Sequence, residues 1–173
     1  MKIIRLLLIA LLTLSVIAAA AVLAGQLGLF KGTAPQNLGV RDGRLLPAAV
    51  TPNSVVSQAD LPGAAKPGYN ASIAPLRFTG DAAAALQRLA ALLATTPGVV
   101  VKVNQPEASY LYAQATTRLM KYTDDVEFYA DAKAGVIHVR SASRLGESDM
   151  GANRTRIEDL RARFEASPTA AKP

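Results

Sequence analysis

Residues 6–30 run for twenty-five positions without a charged side chain, and this stretch limits what the chain can become more than any other. A bilayer-spanning helix needs roughly 20 apolar residues, so the run is long enough. Lys2 and Arg5 precede it. Held on the cytoplasmic side of a bacterial inner membrane, they place everything after Lys31 outside, in a single-pass arrangement facing the periplasm. A cleaved signal peptide meets the same description, because 6–17 forms a compact apolar stretch and Val22-Leu23-Ala24 satisfies the small-residue rule for cleavage. The run continues past that point to Phe30, which favours a retained anchor over residues 1–30; release into the periplasm is the alternative.

The rest of the chain reads as one exported domain, 38–167, after a polar linker at 31–37 and before a Pro- and Ala-rich tail at 168–173 that is expected to be mobile. The chain has no cysteine, which excludes a disulfide and a thiol nucleophile. Of the nineteen basic residues, Lys2, Arg5 and Lys31 sit in or beside the export segment, and the other sixteen meet thirteen acids, a net of +3. Such a mild bias without a basic stripe argues for no nucleic acid among the partners.

Residues 38–77 contain Pro47, Pro52, Pro62, Gly63, Pro67, Gly68 and Pro75 with no helical or alternating period, which predicts an ordered but irregular arm. An α+β core follows at 78–167. Asp81 is placed to cap a helix over 82–95, where Ala82, Ala85, Leu86, Leu89, Leu92 and Leu93 recur on one face. Strands are predicted at 99–104, 110–117, 125–130 and 136–143, joined by turn-like connections at 105–108 and 131–135. A closing helix over 153–165 turns Ile157, Leu160 and Phe164 inward. On its surface, charges four apart pair Arg154 with Glu158, Asp159 with Arg163 and Arg161 with Glu165. The order helix, four strands, helix predicts an α+β sandwich: a four-stranded antiparallel sheet with both helices packed on one face.

Strand alternation then assigns the faces. Leu111, Ala113, Val126, Phe128, Ile137 and Val139 turn to the helices. Lys102, Tyr110, Tyr112, Gln114, Glu127, Tyr129, His138 and Arg140 turn away. A polar, tyrosine-rich face is a binding platform or the bed on which the arm lies, and Val55, Val56, Leu61 and Ile73 of the arm need somewhere to pack.

Between the last strand and the closing helix, 140–156 gathers four arginines, three serines, Asp149, Asn153 and two glycines into seventeen residues. Such a density of donors builds an anion site or braces a strand-to-helix junction. As a site, Arg140, Ser141, Ser143, Arg144, Ser148, Asp149, Asn153, Arg154 and Arg156 would hold an anionic small molecule or an acidic segment of an envelope protein, aided by free N–H groups at the helix start. As a brace, Ser148, Asp149 or Asn153 caps the helix while Arg140 or Arg144 pairs with Asp124, Asp125 or Glu127.

Three segments together, PNSVVSQ at 52–58, YTDDVEF at 122–128 and RSASRLGESDMGANRTR at 140–156, sit behind an N-terminal apolar segment in a pattern that resembles the family called domain of unknown function 1499. The resemblance covers about residues 38–164. It implies no activity, cofactor or catalytic residue. Members of that family often carry cysteines near the proline-asparagine pair. Ala48 and Ser54 stand at those positions, so the resemblance implies that any cysteine-dependent property is absent here.

Other chemistry finds less support. Asp124, Asp125 and Glu127 lack the spacing of a calcium loop, and alternation splits them between faces, so the expectation is no metal and no cofactor. His138 is the only histidine; a histidine-pair zinc site is excluded, and no Gly-x-Ser-x-Gly elbow presents a nucleophile. The enzyme alternative is a hydrolase-like site using Asp149 as acid or base, oriented by Arg140 or Arg144. It requires Asp149 to point into a cleft rather than back onto helix N–H groups. The favoured reading is a membrane-anchored envelope protein whose domain is a non-catalytic binding or assembly module, with a purely structural protein, its arginines an internal brace, as the remaining alternative.

Overall fold

The computed structural model describes residues 2–64 and 67–166, so the tail at 168–173 lies outside the described residues. Helix α1, Lys2–Gln26, is continuous, and it is long and apolar enough to cross a membrane. Its two hydroxyls are satisfied within the helix: Thr13 donates to the Ile9 carbonyl and Ser15 to the Leu11 carbonyl, four residues back.

Helix α2, Ala82–Ala94, starts where Asp81 Oδ1 accepts from the Ala84 N–H at 2.8 Å, and it buries Ala85, Leu86, Leu89, Ala90 and Leu93. Helix α3, Ala152–Ala166, buries Ile157, Leu160 and Phe164 together with Asn153. Both rest on one face of the sheet, where their apolar residues share a core with Leu111, Ala113, Val126, Phe128, Ile137 and Val139. The alternation read from the sequence therefore holds for the helix-facing side.

Among the described residues the sheet has six strands rather than four. The four expected ones are β3 (Val99–Gln105), β4 (Tyr110–Thr116), β5 (Thr123–Asp131) and β6 (Val136–Ser143). The other two, β1 (Ser54–Val56) and β2 (Leu76–Arg77), come from the arm. At three and two residues they are too short to show an alternating pattern. The order is β1-β6-β5-β4-β3, antiparallel throughout, with β2 also on β6. β1 closes the edge of β6 at 140–142 and β2 closes it at 136–137, so one long strand is completed by two short ones.

The arm also takes the polar face. Gly39 and Pro47 reach Glu127 and Arg140, and Ser57 reaches His138. Of the four arm hydrophobes, Val55 and Ile73 join the main core and Val56 joins a smaller cluster with Ala48, Ala59 and Ala71. Leu61 remains exposed, against expectation. At the far edge, β3 shifts register between Val101 and Val103 around Lys102. Past that bulge, Asn104 pairs with the helix-facing Leu111.

The charges four apart on α3 do not account for Arg154 and Arg161. Arg154 donates to the Asn70 and Ser72 carbonyls, and Arg161 pairs with Glu158 and reaches the Ala74 carbonyl. Arm carbonyls at the end of an irregular segment need donors, and long guanidinium side chains supply them. Phe164 is fully buried, and the Arg88 guanidinium lies 4.1 Å above its ring. Phe164→Ala is expected to lower unfolding free energy by about 3–5 kcal/mol in urea titration of the full chain in detergent, the usual cost of deleting a buried aromatic ring.

Candidate functional site

β5 carries three carboxylates within four residues, and alternation sends them to opposite sides. Asp125 and Glu127 face the arm; Asp124 faces α3. Each meets an arginine.

On the arm side Glu127 is fully buried and both oxygens are engaged. Oε1 accepts from the Gly39 N–H at 2.8 Å and the Tyr110 hydroxyl at 2.9 Å, while Oε2 accepts from Arg140 Nη1 at 3.3 Å. Arg140 Nε donates to the Pro47 carbonyl at 3.2 Å. Beside this pair, Arg144 forks onto Asp125: Nη2 reaches Oδ1 at 2.7 Å, and Nε reaches Oδ2 at 3.0 Å and Oδ1 at 3.2 Å. The Tyr112 hydroxyl donates to Asp125 Oδ1 at 2.6 Å and accepts from Gln114 Nε2 at 2.8 Å and Arg144 Nη2 at 3.2 Å.

Electrostatics follow from this packing. The hydrogen bond to Asp125 holds the Arg144 guanidinium above its ordinary pKa despite burial. Burial pushes up the Tyr110 phenol, helped by the neighbouring Glu127 charge, and burial likewise raises Tyr112, helped by its bond to Asp125. Both phenols stay protonated and act as donors.

On the helix side, Arg156 Nη2 meets Asp124 Oδ2 at 2.5 Å, and its Nη1 donates to Asn153 Oδ1 at 2.7 Å and Ser141 Oγ at 3.0 Å. Ser141 donates to Asn153 Oδ1 at 2.5 Å. Asn153 Nδ2 donates to Ser143 Oγ and to the Asn53 carbonyl, each at 3.0 Å. Asn53 Nδ2 holds the Gly146 carbonyl at 2.6 Å, and its buried Oδ1 has no hydrogen-bond partner among the described residues.

The nine residues singled out from the sequence thus divide into groups. Arg140 and Arg144 serve the arm side. Ser141, Ser143, Asn153 and Arg156 serve the helix side, and Arg154 serves the arm carbonyls. Asp149 starts α3: its Oδ2 accepts from the Asn153 N–H at 2.8 Å and its Oδ1 from the Gly151 N–H at 3.0 Å. Ser148 Oγ accepts from the Met150 N–H at 3.3 Å. An open cleft of about 530 Å³ borders this end of α3, lined in part by Thr96, Gly98, Thr116, Asp149, Met150 and Arg156.

The polar face read from the sequence as a bed for the arm is one, and Ser57 makes a polar contact there that no sequence signal assigned to it. Ser57 Oγ accepts from the Val139 N–H at 2.9 Å and lies 3.2 Å from His138 Nδ1. The serine is thereby tied to the sheet backbone, and the His138 ring stacks on Tyr129. Burial lowers the His138 pKa, with Asp131 opposing. Only the alternation that placed His138 on the arm side could have suggested the contact.

These features define a class: an antiparallel α+β fold, braced on both sheet faces by arginine–carboxylate pairs, behind an N-terminal apolar helix. A model of the family described as protein of unknown function (DUF1499) matches residues 44–164, and the chain belongs to that family. Neither curated proteins nor solved structures give a match.

Breaking a buried pair leaves an uncompensated charge, so Arg144→Ala is expected to cost about 3–5 kcal/mol in chemical denaturation. Adding Asp125→Ala should cost much less than the sum of the two single changes. For His138 the folded-state pKa lies below its ordinary 6.5, so the unfolded chain takes the proton first. Stability present above that value is lost as pH falls through the folded pKa. His138→Gln should therefore flatten the decline in melting temperature between about pH 7 and pH 5.

Proposed function

We propose that this protein is a single-pass, membrane-anchored element of the bacterial envelope whose domain at 38–167 is a non-catalytic structural or assembly module. In this reading α1 is the anchor, with Lys2 and Arg5 on the cytoplasmic side, and the Arg- and Ser-rich junction is an internal brace. One observation carries the reading: Arg140, Arg144, Arg154 and Arg156 all spend guanidinium N–H groups on acceptors of the chain itself. An incoming anion would have to displace a seated carboxylate or a backbone carbonyl. Asp149 supports the same view, since both its oxygens face N–H groups at the start of α3.

A second reading, a site for an anionic small molecule or acidic partner, is favoured by the cleft of about 530 Å³ beside Asp149 and Arg156. Thermal shift of the full chain in detergent, against sulfate, phosphate and phosphoesters, separates the two. The brace predicts only a general ionic-strength response, with Arg156→Ala lowering the melting temperature and leaving that response unchanged. A saturating stabilisation by one phosphoester, abolished in Arg156→Ala, would replace the brace with the binding site, because selective binding to the native state must raise its stability.

A further inference from the structure

β3 begins, β4 ends, β5 begins and β6 ends at the same end of the sheet, so the loops at 95–98, 117–122 and 144–151 lie together. Helix α1 is seated on them. Gly25 packs so closely on the Met120 backbone that a Cβ there would lie 2.5 Å from its carbonyl oxygen. Gln26 Nε2 donates to the Leu119 carbonyl at 2.7 Å and the Arg118 carbonyl at 3.4 Å. The Phe30 ring stacks on Tyr122 with centroids 5.3 Å apart, and Gly32 lies against the Arg144 and Leu145 side chains.

The helix length fixes where this end sits. Its 25 residues span about 37 Å at 1.5 Å each, against a hydrocarbon core of about 30 Å. With Lys2 and Arg5 in one headgroup layer, the last turn of α1 reaches the other, and the loops it touches lie at the same height.

Their surface fits that place. Among the described residues past Gln26, six of the nine exposed large apolar side chains are Leu27, Leu29, Leu119, Tyr122, Leu145 and Met150. All belong to the helix exit or to these loops. Met150 is 99 % exposed at φ +51, a left-handed conformation unfavourable for a residue with a side chain. Its side chain gains almost nothing from the fold in return. Exposed Lys31 and Arg118 stand among these groups with half-exposed Lys121, and Glu147 is the acid of the loops that does not cap the helix. Apolar and aromatic tips ringed by cations match the boundary between acyl chains and anionic headgroups.

We propose that this end of the domain is a second membrane contact, with the loops at 117–122 and 144–151 pressed into the headgroup layer of the leaflet from which α1 emerges. The occupant of the surface is lipid. The proposal rests on α1 being a retained anchor.

The chain lacks cysteine and tryptophan, so single cysteines carrying an environment-sensitive nitrobenzoxadiazole dye report one site at a time. The full chain would be placed in nanodiscs of phosphatidylcholine and phosphatidylglycerol, with lipids bearing a shallow or a deep doxyl quencher. Leu14→Cys marks the helix, and Lys133→Cys marks the β5–β6 turn at the opposite end of the sheet. Leu119→Cys, Leu145→Cys and Met150→Cys should emit blue-shifted light and be quenched by the shallow lipid, while Lys133→Cys is not. If those three are as wet and unquenched as Lys133→Cys while Leu14→Cys is quenched by the deep lipid, the anchor stands and the docking is overturned. If Leu14→Cys is also unquenched, the anchor reading falls and the docking falls with it.

Discussion

Three carboxylates on a strand covered from both sides are what the rest of this structure is built around. Asp124, Asp125 and Glu127 lie on β5, flanked in the sheet by β4 and β6, and all three are buried. A buried charge without a partner is far costlier than a buried pair. Both layers therefore need cations of their own. β6 and its exit supply Arg140 and Arg144 on one side, and α3 supplies Arg156 on the other.

That need binds the arm to the core. Arg140 is completed by the Pro47 carbonyl, Glu127 by the Gly39 N–H, and Asn153 by the Asn53 carbonyl. The same segment provides β1 and β2 along β6. Peeling the arm away would strip a sheet edge and expose half-satisfied ions in one event. The arm, the sheet and α3 should thus unfold together. Buried ion pairs of this kind add little net stability over apolar packing, but they penalise any arrangement that separates the partners.

Much of this was legible in the chain and some was not. Helices α2 and α3 and the four long strands could be read to within about two residues, because α2 has a strong apolar stripe and β5 and β6 alternate cleanly. Alternation also told which side Glu127, Arg140 and His138 would face. The location of the arginine cluster was plain. The pairs Arg140 with Glu127 and Arg144 with Asp125 were among those the sequence offered, but other partners were harder to read: Asp124 and Arg156 lie 32 residues apart, and Arg140 and Pro47 lie 93 apart. Backbone acceptors in an irregular segment leave no mark in side-chain identity. β1 and β2 exist as strands only because β6 offers an edge, so no local pattern could announce them.

The opposite rim is left differently. Among the described residues β3 has only β4 beside it in the sheet, and its outer row of backbone groups is not covered by another strand. The register shift between Val101 and Val103, with Lys102 exposed within it, breaks the regular spacing that a neighbouring molecule would need to add a strand. A regular open edge is a template on which further copies can add strand by strand. The register shift withholds that template, so growth from this edge would first have to straighten the strand.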